Sequence, residues 1–429
     1  MRSIAILGAG PMGLAAAYYA LRKGHKVEIF EAAPFAGGMA SHFDFNGVSI
    51  EKFYHFICKS DIDLFQLLDE LEIGDQLRWN ETSMGYFIDN KLYEWGHPLA
   101  LLKFDRLNLL EKIRYGLNAF ITSKRKNFNS LEGITAKDWL TSWIGKRPYE
   151  LMWEKLLKYK FYEYQNEISA SWIATRMKRV ANSRKSIFQE QLGYLNGGSQ
   201  TLIDKLSQKI IEKGGKVHLS SPVTKVLIEE GKVKGIKIND DKIHFDTVFS
   251  TIPTPYIQDL LEFAPEKIRK KYNEIANIGV VCVIIKLAKS LTPHFWLNIN
   301  DTRFEIPGLV EFSNLRILDG GENIIYIPYY MPITNKKFSN NEDFFFKETL
   351  EYLKIINPEL SENDVIDFSI NKLKYAQPVC DSNFLKKIPN IESGIDNLYI
   401  ADTSFYYPED RGISESIKLA KHTIENIIN

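Results

Sequence analysis

A glycine turn near the start of the chain decides the fold class. Gly8-Ala9-Gly10-Pro11-Met12-Gly13 is a GxGxxG turn set between an apolar run, Ser3–Leu7, and a helix-compatible stretch, Met12–Lys23. In such a turn the first glycine permits the tight bend, the second lets the backbone approach a pyrophosphate, and the third lets the helix pack closely on the strand. The free amides at the helix start then face the phosphates with the positive end of the dipole. Ile4–Leu21 is 18 residues long without a charge, which on hydropathy alone resembles a signal peptide or a membrane span. Three glycines and a proline within its first ten residues, and only Arg2 as a basic flank, argue instead for a strand, a turn and a helix. Continuous apolarity is what a parallel strand covered on both faces requires.

Val27–Phe30 reads as a second strand ending in Glu31, 18 residues after Gly13. A carboxylate at that position accepts hydrogen bonds from an adenosine ribose and repels a 2′-phosphate. Ala33–Ala40 then carries a second glycine pair, Gly37-Gly38. A nicotinamide dinucleotide has no need of it, whereas a longer cofactor such as FAD is served by a second loop at close approach. Near the other end, Asn397–Asp402 reads as a short strand ending in an aspartate, and Arg411–Ile417 opens a last helix that Ser414 or Ser416 is placed to cap.

On these residues the chain resembles the flavin amine oxidase and protoporphyrinogen oxidase superfamily, which also holds phytoene-desaturase-like enzymes and UDP-galactopyranose mutase. The resemblance implies an FAD site made of Gly8, Gly10, Pro11, Met12, Gly13, Glu31, Ala32, Gly38 and Met39. Asp402 would hold the ribityl chain, while Gly412 and Ile413 would offer amides to the N1–C2=O edge of the flavin. Val223, in the strand–turn–strand region 214–226, takes the backbone contact with adenine. Many members carry an arginine after the glycine pair; Met39 stands there in this chain. Asn196-Gly197-Gly198 resembles the family's P-x-G-G helix start, with asparagine replacing proline.

The fold expected is α/β: a Rossmann-like FAD-binding domain formed by 1–85, 190–255 and 385–429, with a discontinuous mixed α+β substrate domain. Its parts are a helical insert, 86–189 (Leu107–Phe120, Thr135–Ile144, Tyr149–Leu157, Ser171–Val180), and a strand-rich insert, 256–384, that includes Val280–Lys286 and Ile324–Tyr330. No second GxGxxG follows a strand, so a built-in NAD(P)H domain is not expected. Lysine plus arginine equals aspartate plus glutamate at 54 each, which argues against a polyanion partner such as nucleic acid. The three cysteines are far apart and lack a CxxC, which fits a reducing compartment, and a cytoplasmic location is expected. Residues 101–126 hold seven basic side chains against two acidic ones on an apolar helical background. Three readings stand open there: a solvated helix face, attraction of an anionic substrate or lipid carrier, and peripheral contact with a membrane.

Candidate chemistry centres on Ser49–Phe56. In an extended segment Glu51, Phe53 and His55 share one face, and a histidine beside the flavin can shuttle a proton near neutral pH. Glu51 and His55 are therefore the candidate catalytic pair. Lys160 and Arg176, interleaved with aromatics, are candidates to meet an anionic, partly apolar substrate, with Trp296, Tyr375 and Gln377 as pocket walls. No two of the eight histidines stand in HxxxH spacing and no GxSxG elbow occurs, so neither a metal centre nor a hydrolase is expected. The function expected is FAD-dependent hydride transfer at a C–N or C–C bond of a small or medium organic substrate. The alternatives are a non-redox nucleotide-sugar mutase, with Arg176, Arg179 and Arg184 as candidates to clamp a diphosphate, and a binding flavoprotein with structural FAD.

Overall fold

The computed structural model describes residues 1–262, 264–318, 320–321 and 323–428. Its centre is a five-stranded sheet. The strand Ser3–Leu7 (β1) lies in the middle, with Lys26–Phe30 and Lys216–His218 on one side and Thr247–Ser250 and Leu398–Ile400 on the other. All four pairings are parallel, and Ile4, Ala5 and Ile6 are wholly buried. The uncharged run at the start of the chain is thus core. It divides into β1 and the helix Pro11–Arg22 (α1), nine of whose twelve residues are buried. That helix packs against Ser199–Glu212 and Ile413–His422. No described helix is long and apolar enough to cross a membrane.

The polypeptide returns repeatedly to the carboxyl end of this sheet, bringing Gly8, Glu31, Thr251 and Asp402 to one edge. Thr251 donates its hydroxyl proton to the Leu7 carbonyl at 2.9 Å. Such an edge, where crossovers diverge on either side of a central strand, is where open α/β sheets bind ligands.

A second sheet of seven strands stands over that edge, in the order Val365–Pro378, Asn277–Leu287, Asn323–Met331, Gly308–Glu311, Trp296–Ile299, Met84–Ile88 and Lys91–Trp95. All its pairings are antiparallel except that of Trp296–Ile299 with Met84–Ile88. The last two strands show that the insert 86–189, helical over most of its length, begins inside a hairpin. Asp89 and Asn90 both have positive φ, 50° and 59°, as a two-residue hairpin turn demands.

The helices expected beyond it are present with shifted ends. Asn108 caps Leu109–Lys124 in a reciprocal capping box with Glu111. Thr135 caps Ala136–Ile144, and Ser169 caps Ala170–Asn182. The stretch expected as one helix over Tyr149–Leu157 instead contains a π-turn at Glu150–Glu154, leading into Lys155–Phe161.

Candidate functional site: a dinucleotide cradle opening into an aromatic chamber

A cavity of about 880 Å³ runs from the glycine turn to the underside of the second sheet. Its volume lies toward the upper end of the range for ligand pockets. At the near end the three glycines separate into distinct roles. A Cβ on Gly13 would sit 1.9 Å from the Gly8 carbonyl oxygen, so close packing of helix on strand excludes any side chain there. A Cβ on Gly10 would meet nothing within 4 Å, because this position faces the cavity. The second glycine loop is tied to the first: Gly37 donates its amide to the Ala9 carbonyl at 2.8 Å. A Cβ on Gly38 would lie 3.2 Å from the Gly10 Cα.

Two helix starts line the cavity, and neither has a side-chain cap. Gly10 precedes α1 and Gly412 precedes Ile413–His422. The expected cap from Ser414 or Ser416 is absent, for a reason visible in their bonds. Ser414 Oγ accepts the Leu64 amide at 3.2 Å. Ser416 Oγ donates to the Gly412 carbonyl at 2.9 Å and bonds the Tyr406 hydroxyl at 2.8 Å. The first amides of both helices therefore stay available to an anionic ligand.

Glu31 lines the same space. Its carboxylate accepts the Ala9 amide at 2.8 Å and the Ala33 amide at 2.9 Å. Ala32, Met12, Pro11, Met39 and Val223 also line it, and Val223 pairs with Ile238 in the strand that approaches from the side. Asp402 is buried and accepts amides from Thr254 at 2.6 Å and Ser404 at 2.9 Å. Burial nevertheless pushes its carboxyl up from the ordinary value, against those hydrogen bonds. The open approach at Gly10, the two uncapped helix starts and the carboxylates at the two strand ends all fit FAD.

The far end is a chamber of aromatic rings. Tyr54 makes edge contacts with Trp296 and Tyr326, each at 5.8 Å, and Tyr256 meets Tyr375 edge-on at 4.9 Å. His55 lines the chamber, and its Nδ1 is buried without a hydrogen-bond partner. Burial pushes the imidazole down to about 4; Glu51 opposes this, while Arg411 adds to it.

Lys160 is 7% exposed, and its ammonium stands 5.1 Å from the Trp172 ring and 5.3 Å from the Tyr330 ring. No hydrogen bond or ion pair holds it among the described residues. Burial, reinforced by Arg176 and Arg411, pulls it well below the usual lysine range. Arg176 is paired with Asp410 and lies over Trp172 at 4.7 Å. Arg411 reaches the Ala376 carbonyl and donates to the Tyr330 hydroxyl at 3.2 Å. Although burial works against ionisation of Asp410, Arg176, Lys160 and Arg411 together hold its carboxyl below the ordinary value. Three cations thus surround one carboxylate.

Two expected site residues lie elsewhere. The strand Val48–Glu51 ends before the alternation reaches His55, so Glu51 does not share its face. Its carboxylate accepts the Ser199 amide at 3.0 Å and lies 3.2 Å from His42 Nε2, at the start of the helix Ser199–Glu212. Gln377 is buried away from the cavity, with its amide nitrogen donating to the Pro378 carbonyl at 3.1 Å. Ile278 faces Gln377, whereas Val280 faces Leu373, an irregular register that breaks the alternation counted from Tyr375. Conversely, Arg411, Asp410, Tyr330 and Tyr54 line the chamber without being expected there from the sequence. Arg411 stands directly before the helix-opening glycine, and that adjacency is the available signal.

The family model for flavin-containing amine oxidoreductases matches residues 13–332. The 15-cis-phytoene desaturase of Capsicum annuum is 28% identical over 257 residues, covering 55% of this chain and 44% of that protein. The chain spans about half the length of the curated relatives it matches. Among solved structures, reduced UDP-galactopyranose mutase superposes with a TM-score of 0.75 at 14% identity, covering 100% of this chain and 94% of that one. An oxidoreductase from Methanosarcina mazei gives 0.72 at 19% identity, covering 98% and 99%. These structural likenesses speak to the fold. With the family match extending over most of the chain and the cradle built at the carboxyl ends of its parallel strands, the chain belongs to the flavin-containing amine oxidoreductase family, with FAD as its cofactor.

Proposed function

We propose that the protein is an FAD-dependent oxidoreductase that moves a hydride between a C–N or C–C bond and flavin N5, on an organic substrate with an apolar body and an anionic group. When bound, FAD supplies the two-electron acceptor or donor. The residues of this chain place the substrate, exclude water and handle the proton. The observation that carries the reading is the pairing, in one chamber, of an unpartnered lysine with an unpartnered histidine nitrogen. Lys160 meets the anionic group beside Arg411, and that group favours its charged form. His55, neutral at physiological pH, offers a lone pair for a proton. Tyr54, Trp296 and Tyr330 form walls that keep water from the reacting carbon. The similarity to the 15-cis-phytoene desaturase of Capsicum annuum supports C–C rather than C–N chemistry.

The three arginines that could clamp a diphosphate in a sugar-nucleotide mutase are engaged elsewhere. Arg176 is paired with Asp410, and Arg179 grips Asp61 with two bonds of 3.2 and 2.9 Å. Arg184 is bonded to the Gly96 carbonyl and does not line the cavity. This occupancy favours the redox reading. Anaerobic mixing of the yellow protein with unsaturated or saturated apolar acids and with amines tests it. Bleaching by substrate alone is expected. Turnover seen only after pre-reduction, without net electron loss, would replace the proposal with a mutase.

A further inference from the structure

The helix Leu109–Lys124 is turned inside out. The residues it buries are Asn118 and Thr122, whereas Leu109, Leu110, Ile113, Leu117 and Phe120 are 49–68% exposed. At 3.6 residues per turn these five apolar side chains fall within an arc of about 100°, opposite the buried polar pair, and the stripe runs about 16 Å along the axis. Leu99 and Leu102, from the neighbouring helix Pro98–Lys103, extend it and are 49% and 57% exposed. A helix on a globular surface ordinarily presents its apolar stripe to the core. On its inner face Tyr115 packs edge-on to Trp95, ring centroids 5.6 Å apart, and polar bonds add to the hold: Arg114 donates to the Trp143 carbonyl at 2.7 Å and to the Ser142 carbonyl at 2.9 Å.

The charge left unpaired around the stripe is cationic. Lys103, Lys124 and Lys126 are exposed, and Lys112 lies on the Leu102 carbonyl at 2.7 Å. The two acidic residues of the stretch are already engaged. Asp105 bonds Lys91 at 2.8 Å and the Tyr93 hydroxyl at 2.6 Å, and Glu111 bonds Arg147 at 2.6 Å.

We propose that this face docks on an anionic lipid bilayer, with the leucine, isoleucine and phenylalanine side chains entering the headgroup–acyl boundary and the lysines meeting lipid phosphates. The combination of an apolar stripe with an uncompensated cationic rim is what an interfacial helix requires. A second copy of the chain fits less well, because a two-fold interface sets the patch against itself and opposes like charges. The docking face is directly coupled to the chamber: Leu109–Lys124 packs on Ala170–Asn182, which carries Arg176 and Arg179 into the cavity. The proposal does not depend on which reaction the chamber performs.

The test is co-sedimentation of the full flavin-loaded chain with phosphatidylglycerol–phosphatidylcholine vesicles and with pure phosphatidylcholine vesicles. Binding to the anionic vesicles is expected, weakening as salt rises. The triple variant I113S/L117S/F120S should bind at least about tenfold more weakly with its flavin retained, and K103Q/K124Q/K126Q should lose the preference for anionic lipid. Should the triple variant fail to hold flavin, the single variant Phe120→Trp decides: the emission of the introduced indole should shift to the blue on anionic vesicles and be quenched by brominated lipid. The proposal is overturned if the parent stays in the supernatant, if both multiple variants bind like the parent, or if the emission of the Phe120→Trp variant does not move. It is equally overturned if the parent sediments as a dimer that the triple variant converts to monomer.

Discussion

Glu31 reaches back over the phosphate turn to the backbone of Ala9, accepting its amide at 2.8 Å. One carboxylate therefore shapes the turn and presents itself to the cavity. Hydrogen bonds to a charged group contribute about 1.5–3 kcal/mol each. Glu31→Ala should accordingly weaken FAD binding about ten- to a hundredfold, measured by flavin fluorescence titration, and Glu31→Gln should recover part of the loss.

The glycines of the turn separate packing from binding. Gly13→Ala places a methyl 1.9 Å from a backbone oxygen and should yield unfolded or insoluble protein, whereas Gly10→Ala meets no protein atom within 4 Å. Gly10→Ala should melt like the parent when stripped of flavin yet lose most of its FAD affinity. Calorimetry on the stripped protein, followed by flavin titration, checks both halves.

His55→Asn should retain FAD and lose activity by about 10²–10⁴-fold, the usual contribution of a positioned acid or base. Because burial holds the imidazole at about 4, the parent rate should be flat in His55 above about pH 6 and fall toward pH 4. Stability follows the same residue. Below the ordinary histidine value the unfolded chain takes up a proton that the folded chain refuses, so acid destabilises the fold between about 6.5 and 4. The asparagine variant should lack that portion of the pH slope in denaturant titrations.

Glu51 is expected to matter for stability and not for chemistry. Burial alone would raise its carboxyl, but His42 and the Ser199 amide hold it at about 2. Its stabilising effect is complete above the ordinary glutamate value and disappears as pH falls from about 4.5 to 2. Glu51→Gln should lower stability by about 1–3 kcal/mol at neutral pH and change kcat by less than about threefold. A loss comparable with that of His55→Asn would return Glu51 to the catalytic set.

Lys160 has a shifted proton equilibrium that binding should expose. An anionic ligand reverses the depression of its ammonium, so binding at alkaline pH should take up a proton, visible with a pH indicator in weakly buffered solution. Lys160→Met should abolish the uptake and raise KM for the anionic substrate. It should leave thermal stability equal to or above that of the parent, because an unpaired buried cation is replaced by an apolar chain of similar volume.

Much of the cofactor end is legible in the sequence, because its determinants are local. Gly8–Gly13, Glu31, Gly37-Gly38 and Gly412 act through their own backbone or through contacts within the first forty residues, such as Glu31 and Gly37 on Ala9. The substrate end depends on contacts no local pattern encodes. Alternation misplaces Glu51 because its strand stops short of His55, and it misplaces Gln377 because the register irregularity beside it depends on the partner strand. The hairpin at 84–95 has a local signal in Asp89-Asn90, but its two strands complete a sheet whose other members begin near residue 277. The outward-facing leucines at 109–117 show a regular helical period, but periodicity cannot tell which side of the helix meets water.

The central sheet has a consequence for how the molecule is made. β1 pairs with a strand near residue 250, which pairs in turn with one near residue 400, and each step closes a loop well over a hundred residues long. Assembly must wait until almost the entire length has been synthesised, leaving Ser3–Leu7 and Thr247–Ser250 as adhesive, half-matched ribbons in the interval. Long-range parallel pairing of this kind is slow and prone to aggregation. Recovery from denaturant should therefore be poor at high protein concentration, and chaperones during expression should improve yield more than any substitution in the chamber.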